Sequence, residues 1–156
     1  MNAKPGKRSE NPETRVRRLL EGQKLCVLCT MGDEGPHASL VAFAAFGNGR
    51  QVVFATPKAT RKYRNLKRDP RASLLVDDRS RTAKGFDAGS ALTVAGKVRE
   101  ATGPDREEYL GRYLARHPAM RDFAGAPDAA VMVLDVESFQ VVSRLRDVAV
   151  VWPGGA

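Results

Sequence analysis

Short apolar segments recur along the chain, each about as long as a β-strand and each followed by turn-forming or charged residues. Glycine-containing groups such as Gly32-Asp33-Glu34-Gly35 and Gly47-Asn48-Gly49 separate the first three segments, as in β-hairpins. The pattern predicts seven strands, over residues 24–31, 36–46, 51–56, 71–76, 90–101, 130–136 and 139–150. The first three are expected to form an antiparallel meander.

Three helices are predicted, one before the first strand and two between later strands. Asn11-Pro12-Glu13 has the residues of a helix start, and Gly22 marks the end of that helix. A basic helix is predicted over about 59–68 and a third over 104–116. Short strands with hairpin links and few helices are typical of a mainly β fold with flanking helices. We therefore expect a closed or nearly closed antiparallel barrel, as a single domain over residues 11–152.

The N-terminal residues 1–10 are polar and rich in lysine, arginine, proline and glycine. This composition predicts a disordered basic tail, and it lacks the apolar segment of a signal peptide. The apolar runs elsewhere are far shorter than a membrane span. The expected location is the cytoplasm, with no membrane association.

The charge of the chain is strongly positive, with a formal value of +8 at pH 7 and a pI of about 9.9. Such a charge points to nucleic acid as a partner. The basic residues are, however, spread over the tail, the first helix and residues 58–71, with few aromatic residues among them. This distribution argues against a nucleic-acid platform built on base stacking.

Cys26 and Cys29 have the C-x-x-C spacing of metal and redox sites. Both lie in a predicted strand, where positions three apart point to opposite faces. Two cysteines also fall short of the four ligands of a structural zinc site. We interpret them as small apolar strand residues and predict no metal.

The run from Phe54 to Leu66 has the most specific local chemistry in the chain. A strand ends at Thr56, a turn follows, and a basic helix begins near Thr60. A helix start presents unpaired backbone N–H groups and partial positive charge. The threonine hydroxyls add donors, and nearby cations add full charges. These anion-binding cations are Lys58, Arg61 and Lys62.

Only two histidines occur, His37 and His117. His37 lies in the second predicted strand, where contact with a ligand and an ordinary position at a strand edge are both open. His117 precedes a proline at a helix end, where a capping role is the more common one. We find no catalytic set of serine, histidine and aspartate, and no visible general acid–base pair.

The chain as a whole resembles the FMN-binding split β-barrel family related to pyridoxamine 5′-phosphate oxidase. The resemblance covers about residues 16–151, and its most specific part is Phe54-Ala55-Thr56 with Thr60-Arg61-Lys62 and the run from Asn65 to Leu74. Tyr113-Leu114-Ala115-Arg116-His117-Pro118 also resembles a stretch of family members linked to haem-iron utilisation, which often have a longer chain and additional histidines. The chain lacks the Arg-x-His pair near the C-terminus through which pyridoxamine-phosphate oxidases hold substrate, so vitamin B6 oxidation is not expected.

The resemblance implies a split β-barrel, antiparallel and Greek-key-like, that binds FMN. It implies flavin-phosphate contacts from Thr56, Lys58, Thr60, Arg61 and Lys62. It further implies ring contacts from the backbone of Ala38, Ser39, Leu40 and Val41, and a polar ring contact from Ser90. The family also implies a homodimer with the flavin at the interface, where Trp152 either covers the flavin or packs the barrel end.

Two functions from different classes follow. The first is a flavin-dependent oxidoreductase acting on a small organic substrate or electron acceptor, with a deazaflavin in place of FMN as a variant. The second is a non-catalytic carrier or sensor that binds flavin or haem. Turnover of a reduced nicotinamide by the flavin-loaded protein distinguishes them, because a carrier without catalysis gives none above free flavin.

Overall fold

The computed structural model describes residues 10–79, 89–144 and 146–154. The helices are α1 (Pro12–Gly22), α2 (Arg61–Arg68), α3 (Gly103–Arg116) and α4 (Arg121–Ala124), with a 3₁₀ turn at Pro118–Met120. The strands are β1 (Leu25–Gly32), β2 (Gly35–Phe46), β3 (Gln51–Pro57), β4 (Arg71–Asp77), β5 (Ser90–Glu100), β6 (Ala129–Ser143) and β7 (Asp147–Val151). Residues 1–9 of the predicted basic tail and residues 80–88 before β5 lie outside the described residues.

The strands form one antiparallel sheet in the order β3-β2-β1-β4-β5-β6-β7. A further pairing of β3 with β6, from Gln51 against Asp135 to Pro57 against Ala129, closes six of these strands into a barrel. The predicted mainly β barrel and its opening meander are therefore confirmed.

The last part of the chain differs from the prediction. Residues 129–143 form one continuous strand instead of two, and the turn comes later, near Arg144, whose φ is 52°. Glu137-Ser138, which suggested a break, lies at a bulge where the register with β5 shifts between Ala95 and Gly96. A bulge absorbs one extra residue without ending the strand, which is why polar residues there do not mark a turn.

Two apolar clusters among the described residues hold the fold together. The barrel interior contains Leu28, Phe43, Phe54 and Leu134, and α1 adds Val16, Leu19 and Leu20 to the same cluster. The second cluster lies on the outside of β2, β3 and β6, where Tyr113 of α3 covers small residues such as Ala44. Leu66 of α2 also belongs to the interior cluster, which fixes the basic helix against the barrel.

The two cysteines lie in β1 as the strand interpretation requires. Cys26 is buried in the interior cluster, and Cys29 is half-buried on the opposite face. Burial, with a smaller effect of Cys29, raises the pKa of Cys26 to about 12, so this thiol is unreactive near neutral pH. No group of three potential metal ligands occurs within residues 10–79, 89–144 and 146–154.

None of the helices in the described part of the chain is long and apolar enough to cross a membrane.

Candidate functional site

The site is built where β2 separates from β3. The two strands pair only from Phe43 against Phe54 to Phe46 against Gln51. Beyond Phe54, β3 continues along β6, while the first half of β2 pairs with β1 alone. The barrel therefore has an open seam between the first half of β2 and the end of β3, and α2 follows directly from that end.

The turn at the end of β3 is shaped by two threonines. Thr60 is the N-cap of α2, and its Oγ1 accepts a weak bond from the backbone N–H of Tyr63 at 3.4 Å. The same hydroxyl donates to the carbonyl of Pro57 at 2.9 Å and lies 2.8 Å from Oγ1 of Thr56. Thr56 is buried. These hydroxyls therefore fix the entry to the helix, and Thr60 is the one that remains accessible.

The cations around this turn differ in their partners. Lys58 lies 3.7 Å from a carboxylate oxygen of Glu100, and Arg61 lies 3.4 Å from one of Glu34. Lys62 is partly buried and has no ion pair within the described part of the chain. Burial lowers the pKa of Lys62 below its ordinary value. A partly desolvated ammonium without a counter-ion is the group that gains most from a bound anion.

Glu100 is a residue that the sequence did not single out. Its mostly buried carboxylate accepts a bond from the Tyr63 hydroxyl at 2.7 Å and lies 3.7 Å from both Lys58 and Lys67. It thereby holds α2 and the preceding turn against the end of β5. Forty-two positions separate Glu100 from Lys58, so no local motif could reveal the pair.

We expect Glu100 to make stability depend on pH. Burial alone would raise its pKa, but the Tyr63 bond and the charges of Lys58 and Lys67 outweigh burial and hold the pKa below the ordinary value. The contribution is therefore complete above the unfolded pKa, about 4.3, and is lost as the pH falls through the lower folded pKa. Urea unfolding between pH 7 and pH 3 should show this slope in the wild type and a weaker slope in Glu100→Gln. Equal slopes would contradict this role of Glu100.

The phase of the β2 ladder decides which backbone groups face the seam. The N–H of Phe43 donates to the carbonyl of Lys24 on the β1 side. Alternate residues of an antiparallel strand direct their backbone groups to opposite edges. Ser39 and Val41 therefore use their backbone toward β1, whereas Ala38 and Leu40 direct theirs to the seam, where the described strands provide no partner.

Two side-chain atoms of β2 are also left without partners. Nδ1 of His37 and Oγ of Ser39 are inaccessible to solvent and make no hydrogen bond within the described residues. They lie two positions apart on one strand face, and His37 stands opposite Thr30 in the register with β1. A buried polar atom without a partner costs free energy, so both atoms favour a ligand at this place.

The remaining predicted residues lie elsewhere. Ser90 begins β5, and its N–H donates to the buried carboxylate of Asp78 at 2.7 Å. It stands at the other end of β5 from Glu100, about 30 Å along the strand. Within one chain, Ser90 is therefore far from Glu100 and from the cation Lys58 that Glu100 contacts. Trp152 is 64% exposed and borders a cavity of about 330 Å³ between α1 and the C-terminal segment.

His117 has a structural position. Its Nε2 lies 2.6 Å from the carbonyl oxygen of Phe43, so this nitrogen carries a proton and donates. The ring is buried and contacts Tyr113 with centroids 5.0 Å apart. Its neighbour Arg116 donates to three carbonyls at the end of α1, including that of Gln23 at 2.6 Å. The pair joins α3 to β2 and α1.

Comparison with known proteins identifies the family. The family model described as pyridoxamine 5′-phosphate oxidase matches residues 12–143. The chain belongs to this family. A pyridoxamine 5′-phosphate oxidase homolog of Schizosaccharomyces pombe is 30% identical over 98 residues, covering 56% of this chain and 52% of the relative. The chain thus spans about half the length of that curated relative.

Solved structures show the same fold. A haem-binding protein from Mycobacterium smegmatis matches with a TM-score of 0.79 and 23% identity, over 92% of this chain and 59% of the other. A Clostridium acetobutylicum protein related to general stress protein 26, described as of the pyridoxinephosphate oxidase family, has a TM-score of 0.68 and 16% identity. That match covers 90% of this chain and 94% of the other. The expected split-barrel fold is thereby confirmed.

Proposed function

We propose that this protein is an FMN-binding flavoprotein that exchanges electrons with a small organic substrate or acceptor. The observation that carries the proposal is Lys62, a partly buried cation without a counter-ion within the described residues, two positions after the N-cap of α2. Family membership makes a flavin phosphate the anion of choice.

The residues at the start of α2 fit a phosphate monoester. Such a group carries nearly two negative charges near neutral pH and three acceptor oxygens. Arg61 offers a planar fork and Lys62 a compact charge, beside the free N–H groups at the helix start that Thr60 caps. Lys58 contributes less, because Glu100 already neutralises it.

The seam fits the edge of a flavin ring. Ring nitrogens and carbonyl oxygens need both donors and acceptors, and the free backbone edge of Ala38 and Leu40 supplies both. The unpartnered atoms of His37 and Ser39 lie on the same strand. The flavin supplies the redox chemistry when bound, while the chain supplies orientation and charge.

A second copy of the chain completes the proposed site. The outer face of the β1–β2 pair exposes apolar side chains, of which Leu40 is 67% exposed. The others are Leu25 and Met31. Exposed apolar patches of this kind mark interfaces. In a homodimer that buries this face, Ser90 of the second copy is the candidate for the polar ring contact, because Ser90 of the same chain lies at the far end of β5 from Glu100.

Sedimentation analysis tests the dimer. We expect the wild type to sediment as a dimer and Leu40→Asp to sediment as a folded monomer, because a charge at the centre of the buried face is costly. The control is Lys97→Asp, which changes an exposed side chain on β5, outside the proposed interface. This variant should remain dimeric. A monomeric wild type would contradict the proposed interface.

Haem binding is the second candidate, because the Mycobacterium smegmatis neighbour is described as a haem-binding protein. His117 is poorly suited to ligate iron, since its Nε2 already donates to Phe43 and its ring is buried. His37 is the other histidine of the chain. If the protein binds haem, His37 is therefore the expected iron ligand. A haem complex that keeps its spectrum in His37→Ala and loses it in His117→Ala would contradict this expectation.

An absorption spectrum decides between the cofactors. The purified protein is mixed with FMN, desalted and scanned for the visible flavin bands. Retained flavin supports the proposal. A colourless protein overturns it, and titrations with a deazaflavin and with haem then identify the alternative.

Turnover separates the oxidoreductase from the carrier. The flavin-loaded protein is mixed with NADPH and with oxygen or a quinone as acceptor. Oxidation faster than that of the same concentration of free FMN supports an enzyme. No increase over free FMN with any acceptor supports the carrier.

A further inference from the structure

One face of α2 lies along the hairpin that joins β1 to β2. Arg61, Asn65 and Arg68 occupy positions i, i+4 and i+7, which share one side of a helix. Each has a partner on the hairpin. Arg61 pairs with Glu34 and Arg68 with Asp33, while the amide of Asn65 donates to the Thr30 hydroxyl at 3.1 Å.

The middle contact of the three is tight and buried. Asn65 is buried, and a Cβ placed on Gly32 would lie 2.6 Å from its side-chain oxygen. This packing sets the distance between hairpin and helix. The acidic residues at the hairpin tip are therefore held beside α2 whatever the state of their own ion pairs.

The two ion pairs lie at opposite ends of the helix. Asp33 meets Arg68 in the last turn, about 10 Å from Arg61 at the usual rise of a helix. Glu34 meets Arg61 in the first turn, where the helix end is positive. The Glu34 side chain is 83% exposed, so little besides Arg61 holds it in place.

We propose that Glu34 is a tethered counter-ion that occupies Arg61 in the unliganded protein and competes with the flavin phosphate for it. This inference rests on the proposed function, because it takes Arg61 as a phosphate ligand. Binding of the phosphate breaks or weakens the pair with Glu34. Glu34 therefore lowers affinity for phosphate-bearing flavin and favours a dianion over weaker, singly charged anions.

The test uses two charge-neutralising variants of the same turn. Glu34→Gln removes the competitor, and Asp33→Asn removes an equal charge that faces Arg68 instead. FMN and riboflavin, which lacks the phosphate, are titrated into each protein at low and high salt. Glu34→Gln should bind FMN about two- to fivefold more tightly than wild type at low salt, since exposed ion pairs are individually weak. Riboflavin affinity should not change, and Asp33→Asn should behave as wild type.

The outcomes separate this inference from the proposed function. FMN affinity that is unchanged or lower in Glu34→Gln overturns the competition. An equal gain in Asp33→Asn also overturns it, because the effect is then one of general charge. A wild type and variants that all fail to bind FMN overturn the proposed function, and the competition with it.

Discussion

Replacing Lys62 with alanine is expected to weaken FMN binding by about 1.5–3 kcal/mol, the usual worth of a hydrogen bond to a charged group. This corresponds to roughly a ten- to hundredfold higher Kd. The reason is that Lys62 is the cation of this cluster that the described carboxylates leave without a partner. Equilibrium titration of flavin fluorescence measures the change.

The matched control is Arg68→Ala. Arg68 lies on the same helix and carries the same charge, but it is at the far end and pairs with Asp33. Its loss should leave FMN affinity within about threefold of wild type, since exposed charges act weakly over that distance. Circular dichroism should show both variants folded. Equal losses in both variants would show that net charge, and not a phosphate site, controls binding.

Gly96→Ala is expected to destabilise the fold by about 3 kcal/mol or more, because overpacking a closely packed site forces the backbone apart. A Cβ on Gly96 would lie 2.1 Å from the backbone carbonyl oxygen of Asp135 on β6. Backbone on both strands is fixed there by the ladder that joins β5 and β6. Urea unfolding followed by circular dichroism measures the loss of unfolding free energy.

A second glycine provides the contrast. Gly111 lies within α3, and a Cβ there would meet nothing within 4 Å. Gly111→Ala should therefore stabilise the protein by about 0.5–1 kcal/mol, because alanine loses less backbone entropy in a helix. If Gly96→Ala were as stable as wild type, the close contact between residue 96 and the carbonyl oxygen of Asp135 would be contradicted.

Most of the fold could be predicted from local sequence. Asn11 caps α1 as expected, its side chain accepting from the N–H of Glu13 at 2.9 Å. The hairpin turn at Gly47-Asn48-Gly49 joins β2 to β3 as expected. These features depend on residues within a few positions of one another, where capping, turn geometry and alternation act directly.

The chain after residue 129 shows where local signals fail. The polar pair Glu137-Ser138 predicts a turn. The strand nevertheless continues, because the extra residue of β6 forms a bulge opposite Ala95 and Gly96 of β5. The bulge depends on a partner strand that is distant in sequence. No property of residues 130–143 alone distinguishes a bulge from a turn.

The sequence by itself determined the mainly β barrel, the helix start after Thr56 and the concentration of cations around it. The tertiary structure decided which of these cations lacks a partner, since Lys58 meets Glu100 and Arg61 meets Glu34 across long stretches of chain. It also decided that Ala38 and Leu40, and not Ser39 and Val41, direct backbone groups to the seam. The physical reason is that helix starts and alternation arise from neighbouring residues, whereas charge neutralisation and ladder phase arise only when distant segments pair.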